Sequence, residues 1–265
     1  IVRQVQTLIK KGHAYLIPGD GWYFDLATFP EYGKLSRRTT LQAEDGVTRI
    51  DDSDLKRNRG DFCLWKFANL GAKGEPVWKT PLGAGRPGWH IEDTAITEHY
   101  FGPQYDIHGG GIDLKFPHHE AEIAQQESAS GKKPFVRIWM HSGFILMNGR
   151  KMSKSLGNFL TINDMLLKHS PDTFRMMALS AHYRSPMDYT DSVATSAEKN
   201  FAEMRAFIAR LQFVEKNGKG SAAFDLAPHE QKFHVAMEDD FNTPQAIAAV
   251  FQAIARDGVG PVPHR

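Results

Sequence analysis

The sequence predicts an α/β fold interrupted by an inserted irregular segment and continued by an α-helical bundle, and three observations carry that expectation. Between His90 and Phe144, apolar strand candidates (Tyr105 to His108, Phe144 to Met147) alternate with helical stretches (Asp93 to Tyr100, His118 to Ser130), the rhythm of half a parallel sheet with its crossover helices. The segment from about Trp22 to about Pro87 breaks that rhythm with Gly, Pro and aromatic residues, leaving only short strand-like runs at Trp22 to Leu26 and Asp61 to Lys66. After Thr161 the periodicity is helical throughout.

Taken in order, Ile1, Val2, Val5, Leu8 and Ile9 form the apolar stripe of a first helix that stops at Gly12. The chain opens on this amphipathic stripe and closes on Gly258-Val259-Gly260-Pro261-Val262-Pro263, so a fragment of a longer protein is expected. Glycines 109, 110 and 111 follow the Tyr105 strand, at the strand end where an open α/β sheet takes its ligand. Thr161 with Asp164 approximates a capping box, Ser170-Pro171 starts a second helix and Thr243-Pro244 a third. Between them Val193, Ala197, Phe201, Met204, Ile208 and Leu211 repeat at steps of four and three, predicting one long helix that packs this stripe into a bundle.

Composition sets outer limits. The chain has 265 residues, 41% of them apolar, enough for a sizeable core in one large domain or two modest ones. A net charge of +1 gives no general argument for or against nucleic acid, so any RNA contact rests on local patches. Cys63 is the only cysteine, which rules out an internal disulfide and fits a reducing compartment, with the cytoplasm as the default. No apolar run reaches the roughly 18 residues of a membrane span.

Four clusters carry chemistry. Lys151-Met152-Ser153-Lys154-Ser155 places two ammonium groups on a short loop of small residues, anchored by Phe144 to Met147 and the Asn148-Gly149 turn before it and by Leu156-Gly157-Asn158 after it. Lysine is a compact point charge with three donors, suited to phosphate oxygens, whereas the bland alternative is a solvated basic turn. His118 and Glu122 are four apart in His118-His119-Glu120-Ala121-Glu122 and share one helical face, a zinc half-site or else a solvated helix start after Pro117. Gly88-Trp89-His90-Ile91-Glu92-Asp93 sets an aromatic wall beside an acid that would serve as a third oxygen ligand, although a tryptophan is more often simply core. The tri-glycine after His108 lets a flat ligand approach the backbone, with Asp113 beyond it to accept from a ribose hydroxyl.

The string Lys151 to Ser155 resembles the KMSKS motif of class I aminoacyl-tRNA synthetases, and the order of the four clusters resembles the cysteinyl-tRNA synthetases along nearly the whole chain. Further matching strings are Lys56 to Phe62 with Leu64-Trp65-Lys66, Gly83 to His90, Trp139 to Gly143, His182-Tyr183-Arg184-Ser185 and Asp239 to Pro244. The resemblance implies the second half of a Rossmann-like class I catalytic domain over 1–146, including a connective insertion at about 20–87. It further implies a KMSKS loop and stem-contact region over 147–190 and the start of a helical, tRNA-binding domain over 191–265.

The resemblance also implies ATP-dependent activation of L-cysteine to cysteinyl-adenylate and transfer to tRNA(Cys), with Mg2+ accompanying ATP and a monomeric state. It assigns zinc to Asp93, His118 and Glu122, the cysteine pocket to Trp89 and His108, the adenosine side to Gly110 and Asp113, and the ATP phosphates to Lys154 with Lys151 assisting. Two departures stand out. Asp93 occupies a position where cysteine is associated with bacterial members, substituting a harder oxygen for sulfur. The family's His-x-Gly-His string is absent from these residues, as is a ligand cysteine near the N-terminus, so this chain alone is expected to activate cysteine weakly or not at all. The alternatives are a cysteine ligase of the mycothiol pathway, which would share the lysine loop and the zinc site, and a non-catalytic paralogue or fragment.

Overall fold

A computed structural model describes residues 1–38, 53–68, 74–153, 157–217 and 225–256. The chain divides into two compact units, Ile1–His141 and Ser142–Arg265. Among the described residues no helix is long and apolar enough to cross a membrane.

In the first unit, helix α1 (Val2–Lys10) turns Val5 and Leu8 into the core, both fully buried. Its covering partner is helix α3 (His118–Ser130), and Gln4 of α1 donates to Gln126 of α3 inside the contact. The described part of the segment expected to be irregular contributes to an antiparallel sheet in the order β1-β2-β3-β5-β4, made of β1 (Ala14–Ile17), β2 (Gly21–Phe24), β3 (Phe62–Phe67), β4 (Trp78–Thr80) and β5 (Gly83–Pro87), of which β2 and β3 are the two expected strand-like runs. The reason it reads as irregular is physical. Strand β3 buries Phe62, Cys63, Leu64 and Trp65 in succession, so it has no alternation. Gly21 and Gly85 sit where a Cβ would lie 2.3 Å from the Trp65 carbonyl and 2.2 Å from the Lys66 carbonyl, so these glycines are close strand contacts rather than loop residues.

Helix α2 (Trp89–Phe101) starts four residues earlier than the pattern suggests, with Gly88 as its N-cap. Strands β6 (Tyr105–Gly111) and β7 (Val136–Ser142) pair with each other across α3. The Tyr105 N–H bonds the Phe135 carbonyl at 3.2 Å, joining the two strand beginnings, and Gly109 further along approaches the Met140 carbonyl. The strands therefore run the same way and form a β-helix-β unit, but its second strand is Val136–Ser142, and the expected strand at Phe144 to Met147 belongs instead to a separate sheet in the second unit. Asp61, 1% exposed, pins this unit's outer loops by accepting from the Leu26 and Asn58 N–H groups and the Tyr15 hydroxyl.

The second unit holds a small sheet in the order β10-β8-β9, formed by β8 (Ile145–Met147), β9 (Arg150–Lys151) and β10 (Met187–Tyr189), with β10 parallel to β8. Asn148 and Gly149 make the β8-β9 turn with φ of 50° and 73°, the pair of positive angles that two-residue hairpins favour. The helices are α4 (Ile162–Lys168), α5 (Pro171–Leu179), α6 (Asp191–Asn217), α7 (Ala227–Glu238) and α8 (Thr243–Arg256). Thr161 forms the full capping box with Asp164, and Ser170 caps α5 ahead of Pro171. Met165, Met176, Met177, Tyr189, Ala194 and Ala197 make the core. The long helix is present, but its stripe is packed over its first half: Phe201 and Met204 still lie against the core, whereas Ile208 is 52% exposed.

Candidate active site

Gly88 ends β5 against the backbone of β3 and lets α2 begin at once, which places Trp89 and Asp93 one turn apart on the same helical face. Helix α3 offers the opposing pair, His118 and Glu122, also one turn apart. His118 Nε2 lies 2.7 Å from Asp93 Oδ2 and 3.0 Å from Glu122 Oε1, and the Trp89 ring stacks on the His118 imidazole at 4.4 Å and 23°. Glu122 is 0% exposed, with its Oε1 facing the His118 imidazole at 3.0 Å. A buried carboxylate is costly unless a cation faces it, a part that protonated His118 takes in the metal-free chain and a bound metal ion would take over. Asp93, His118 and Glu122 each offer a ligand atom within 4.8 Å of the others, so one nitrogen and two oxygens converge while the Asp93 side stays partly open. This donor set fits zinc with a vacant position for a further ligand.

Behind these ligands stand histidines that no sequence pattern had assigned. His90 Nδ1 meets His118 Nδ1 at 2.7 Å, and His119 Nδ1 meets His141 Nε2 at 2.8 Å. Burial and the neighbouring His118 charge push His90 down to about 3, and burial together with His108 and His141 does the same to His119. A neutral His90 accepts from His118 Nδ1–H, which aims His118 Nε2 at the two carboxylates, the second-partner arrangement of metal-bound histidines. His108 packs against His119 and Trp139 at ring distances of 4.7 and 4.8 Å, with its Nδ1 3.8 Å from Glu122 Oε2 and bonded to the Tyr105 hydroxyl. His108, His119 and Glu122 form a second set of close ligand atoms that shares Glu122. Gly110 packs closely on this cluster, since a Cβ would lie 2.8 Å from His119 Cε1 and force that ring to shift.

Burial pulls the His118 imidazole down, yet its bonds to Asp93 and Glu122 outweigh this and raise it to about 9. The metal-free histidine is therefore protonated at neutral pH, and its Nε2 proton must leave before that nitrogen ligates. Zinc binding at pH 7.5 is expected to release about one proton from this residue, seen as a buffer-dependent enthalpy in calorimetry. An enthalpy independent of the buffer would contradict the assignment.

The lysine loop belongs to the second unit. Asn158 ties it at both sides, its Oδ1 accepting from the Ser153 N–H at 2.9 Å and its Nδ2 donating to the Lys151 carbonyl at 3.0 Å. Lys151 is exposed, with its ammonium 4.4 Å over the Phe144 ring. Lys154 lies outside the described residues. The structure thus gathers Trp89, Asp93, His108, Gly110, His118 and Glu122 into one cluster in the first unit. Asp113 is exposed on the 3-10 turn Ile112–Lys115 that follows Gly111. Of the residues missed, His119 and His141 lay inside recognised strings, but a histidine's ring partner is a tertiary fact.

Residues 1–199 match the family model described as tRNA synthetases class I (C) catalytic domain, and residues 232–256 match a DALR domain. The chain is 43% identical over 260 residues to a cysteine–tRNA ligase of Persephonella marina, covering 96% of this chain and 52% of the relative. It is 46% identical over 253 residues to one of Legionella pneumophila (strain Paris), covering 95% and 53%. The chain therefore spans about half the length of the curated relatives it matches. In fold it is similar to a Mycobacterium tuberculosis methionyl-tRNA synthetase in complex with methionyl-adenylate, with a TM-score of 0.63 at 15% identity over 96% of this chain and 62% of that one.

Proposed function

Because the chain belongs to the cysteinyl-tRNA synthetases of class I, we propose that it supplies the amino-acid and metal side of an ATP-dependent cysteine-activating site serving tRNA(Cys). The observation that carries this reading is the convergence of the fully buried Glu122 with His118 and Asp93, their ligand atoms within 4.8 Å of one another, while the Trp89 ring stacks on His118. Zinc bound there would supply a soft Lewis acid that prefers a thiolate to a hydroxyl.

The chain's own residues do the rest. Asp93, His118 and Glu122 hold the ion, and His90 fixes the His118 ring. Trp89 walls the pocket, and His108 lines it opposite Trp139. Gly110 lets the adenosine side approach the backbone, with Asp113 to accept from a ribose hydroxyl. Lys151 and Lys154 steady the phosphates of ATP, so that charge building on the leaving pyrophosphate meets fixed ammonium groups as the cysteine carboxylate attacks the α-phosphorus. The cysteinyl group then passes to a terminal ribose hydroxyl of the tRNA. In this reading 1–146 is the catalytic half-domain, 147–190 the KMSKS and stem-contact region, and 191–265 the start of the tRNA-binding helices, in a monomeric, cytoplasmic enzyme. The DALR match favours transfer to tRNA over transfer to an amino sugar.

Cobalt substitution tests the central step without requiring turnover. The cobalt-loaded chain should gain a sulfur-to-metal charge-transfer band on adding cysteine and none on adding serine. A band with neither amino acid, in a protein that holds equimolar cobalt, would overturn the thiol-selective site.

A further inference from the structure

We infer that Asp240 is a positioning residue for Lys151, linking the turn between α7 and α8 to the hairpin that carries the lysine. This rests on the reading of the lysine loop as a phosphate-holding element.

Asp240 and Phe241 occupy the left-handed region, each with φ of 53°, which non-glycine residues adopt only when their surroundings impose it. What holds Asp240 there is a set of donors 56 and 57 residues earlier in the chain. Tyr183 donates to its Oδ1 at 2.7 Å, Arg184 Nη2 donates to the same oxygen at 3.0 Å, and Arg184 Nε donates to Oδ2. A planar guanidinium fork of this kind fixes orientation as well as distance. The Arg184 guanidinium also sits 4.9 Å from the Tyr183 ring, so the two donors brace one another.

The same loop grips the start of β8. The Tyr183 carbonyl accepts from the Gly143 N–H at 2.7 Å, and Gly143 lies so close to Ser185 that a Cβ would come within 2.2 Å of its carbonyl oxygen. Met187 N–H bonds the Phe144 carbonyl at 2.9 Å, and β10 continues along β8 in parallel. Phe144 then presents its ring to the Lys151 ammonium at 4.4 Å, and β9, which contains Lys151, pairs back onto β8. A continuous set of contacts therefore runs from Asp240 through Tyr183 and Arg184 to Gly143 and Phe144, and ends on Lys151. The two strings His182 to Ser185 and Asp239 to Pro244, unrelated along the sequence, are the two halves of this clasp.

Two measurements on the chain test the inference. In hydrogen exchange, Asp240→Asn should raise the exchange of amides between Gly143 and Lys151 about tenfold and leave those of α3 unchanged. In calorimetric titration with inorganic pyrophosphate, Asp240→Asn and Lys151→Ala should each weaken binding about tenfold. No binding by the unaltered chain, or binding unmoved by Lys151→Ala, defeats the phosphate reading of the loop itself. If Lys151→Ala weakens binding while Asp240→Asn leaves exchange or affinity unchanged, the positioning role of Asp240 is overturned and the phosphate reading stands. Should Asp240→Asn unfold, Arg184→Lys keeps the charge but removes the fork, and the same two outcomes decide the matter. Restoration of both readouts by the exchanged pair Asp240→Arg with Arg184→Asp would support the clasp over a general loss of structure.

Discussion

Glu122→Gln is expected to abolish stoichiometric zinc binding, with a loss of affinity of at least about 100-fold, beyond the 10–100-fold that removal of an outer partner costs. The amide is nearly the same size and reaches the same point, but its oxygen is a weak donor to a cation and its NH2 faces the wrong way. In the unaltered chain, zinc at about 100 times its dissociation constant adds roughly 2.7 kcal/mol to folding stability, or about 5–10 °C in melting temperature for a domain of this size. The variant should lose that zinc-dependent rise. Its metal-free melting temperature is a poorer guide, because two effects oppose each other there: the contact with His118 at 3.0 Å is weakened, and the desolvation cost of a buried charge is removed. Metal analysis of the purified variant is the direct check. Equimolar zinc in Glu122→Gln would remove Glu122 from the ligand set.

Gly88→Ala is expected to damage the fold severely for so small a change. Its Cβ would lie 1.9 Å from the Cys63 carbonyl oxygen and 2.7 Å from the carbonyl carbon, both backbone atoms of the sheet's central strand, so no rotamer change relieves the clash. The Gly88 N–H already bonds the Leu64 carbonyl at 3.0 Å, which prevents the segment from backing away. Relief requires β3 and the start of α2 to separate, at a cost of about 3–5 kcal/mol in denaturant unfolding. Because Trp89 and Asp93 ride on the first turns of α2, zinc affinity should fall with stability. Gly110→Ala offers the comparison: its nearest neighbour is the His119 side chain, which can shift, so a smaller loss is expected. A loss below about 1 kcal/mol in Gly88→Ala would show that the β3–α2 contact yields more readily than its geometry indicates.

The parts of this architecture that are local in sequence were legible there. Helix α3 runs from His118 to Ser130 as its pattern indicates, the Thr161–Asp164 box and the Ser170-Pro171 start both form, and the spacing of His118 and Glu122 sets them on one face. What was hidden depends on long-range contact. The runs at Trp22 to Leu26 and Asp61 to Lys66 do become β2 and β3, but their joining into one five-stranded sheet was hidden, because the glycines beside β3 mark close strand contacts that composition cannot distinguish from loops. His90, His119 and His141 become a supporting layer only when α2, α3 and β7 pack. The stripe on α6 overstated its burial, because periodicity reports a face and not the length of the partner that covers it.

Helix α3 also holds Glu120, 0% exposed, whose carboxylate accepts from the Gly33 N–H at 3.0 Å and from the Ser36 N–H. The loop containing those amides is irregular in outline, yet freeing them means uncovering a carboxylate in the interior of the unit. The Gly33 and Ser36 amides are therefore expected to exchange with the opening of the core that covers Glu120, slower than a surface loop would, in native-state hydrogen exchange.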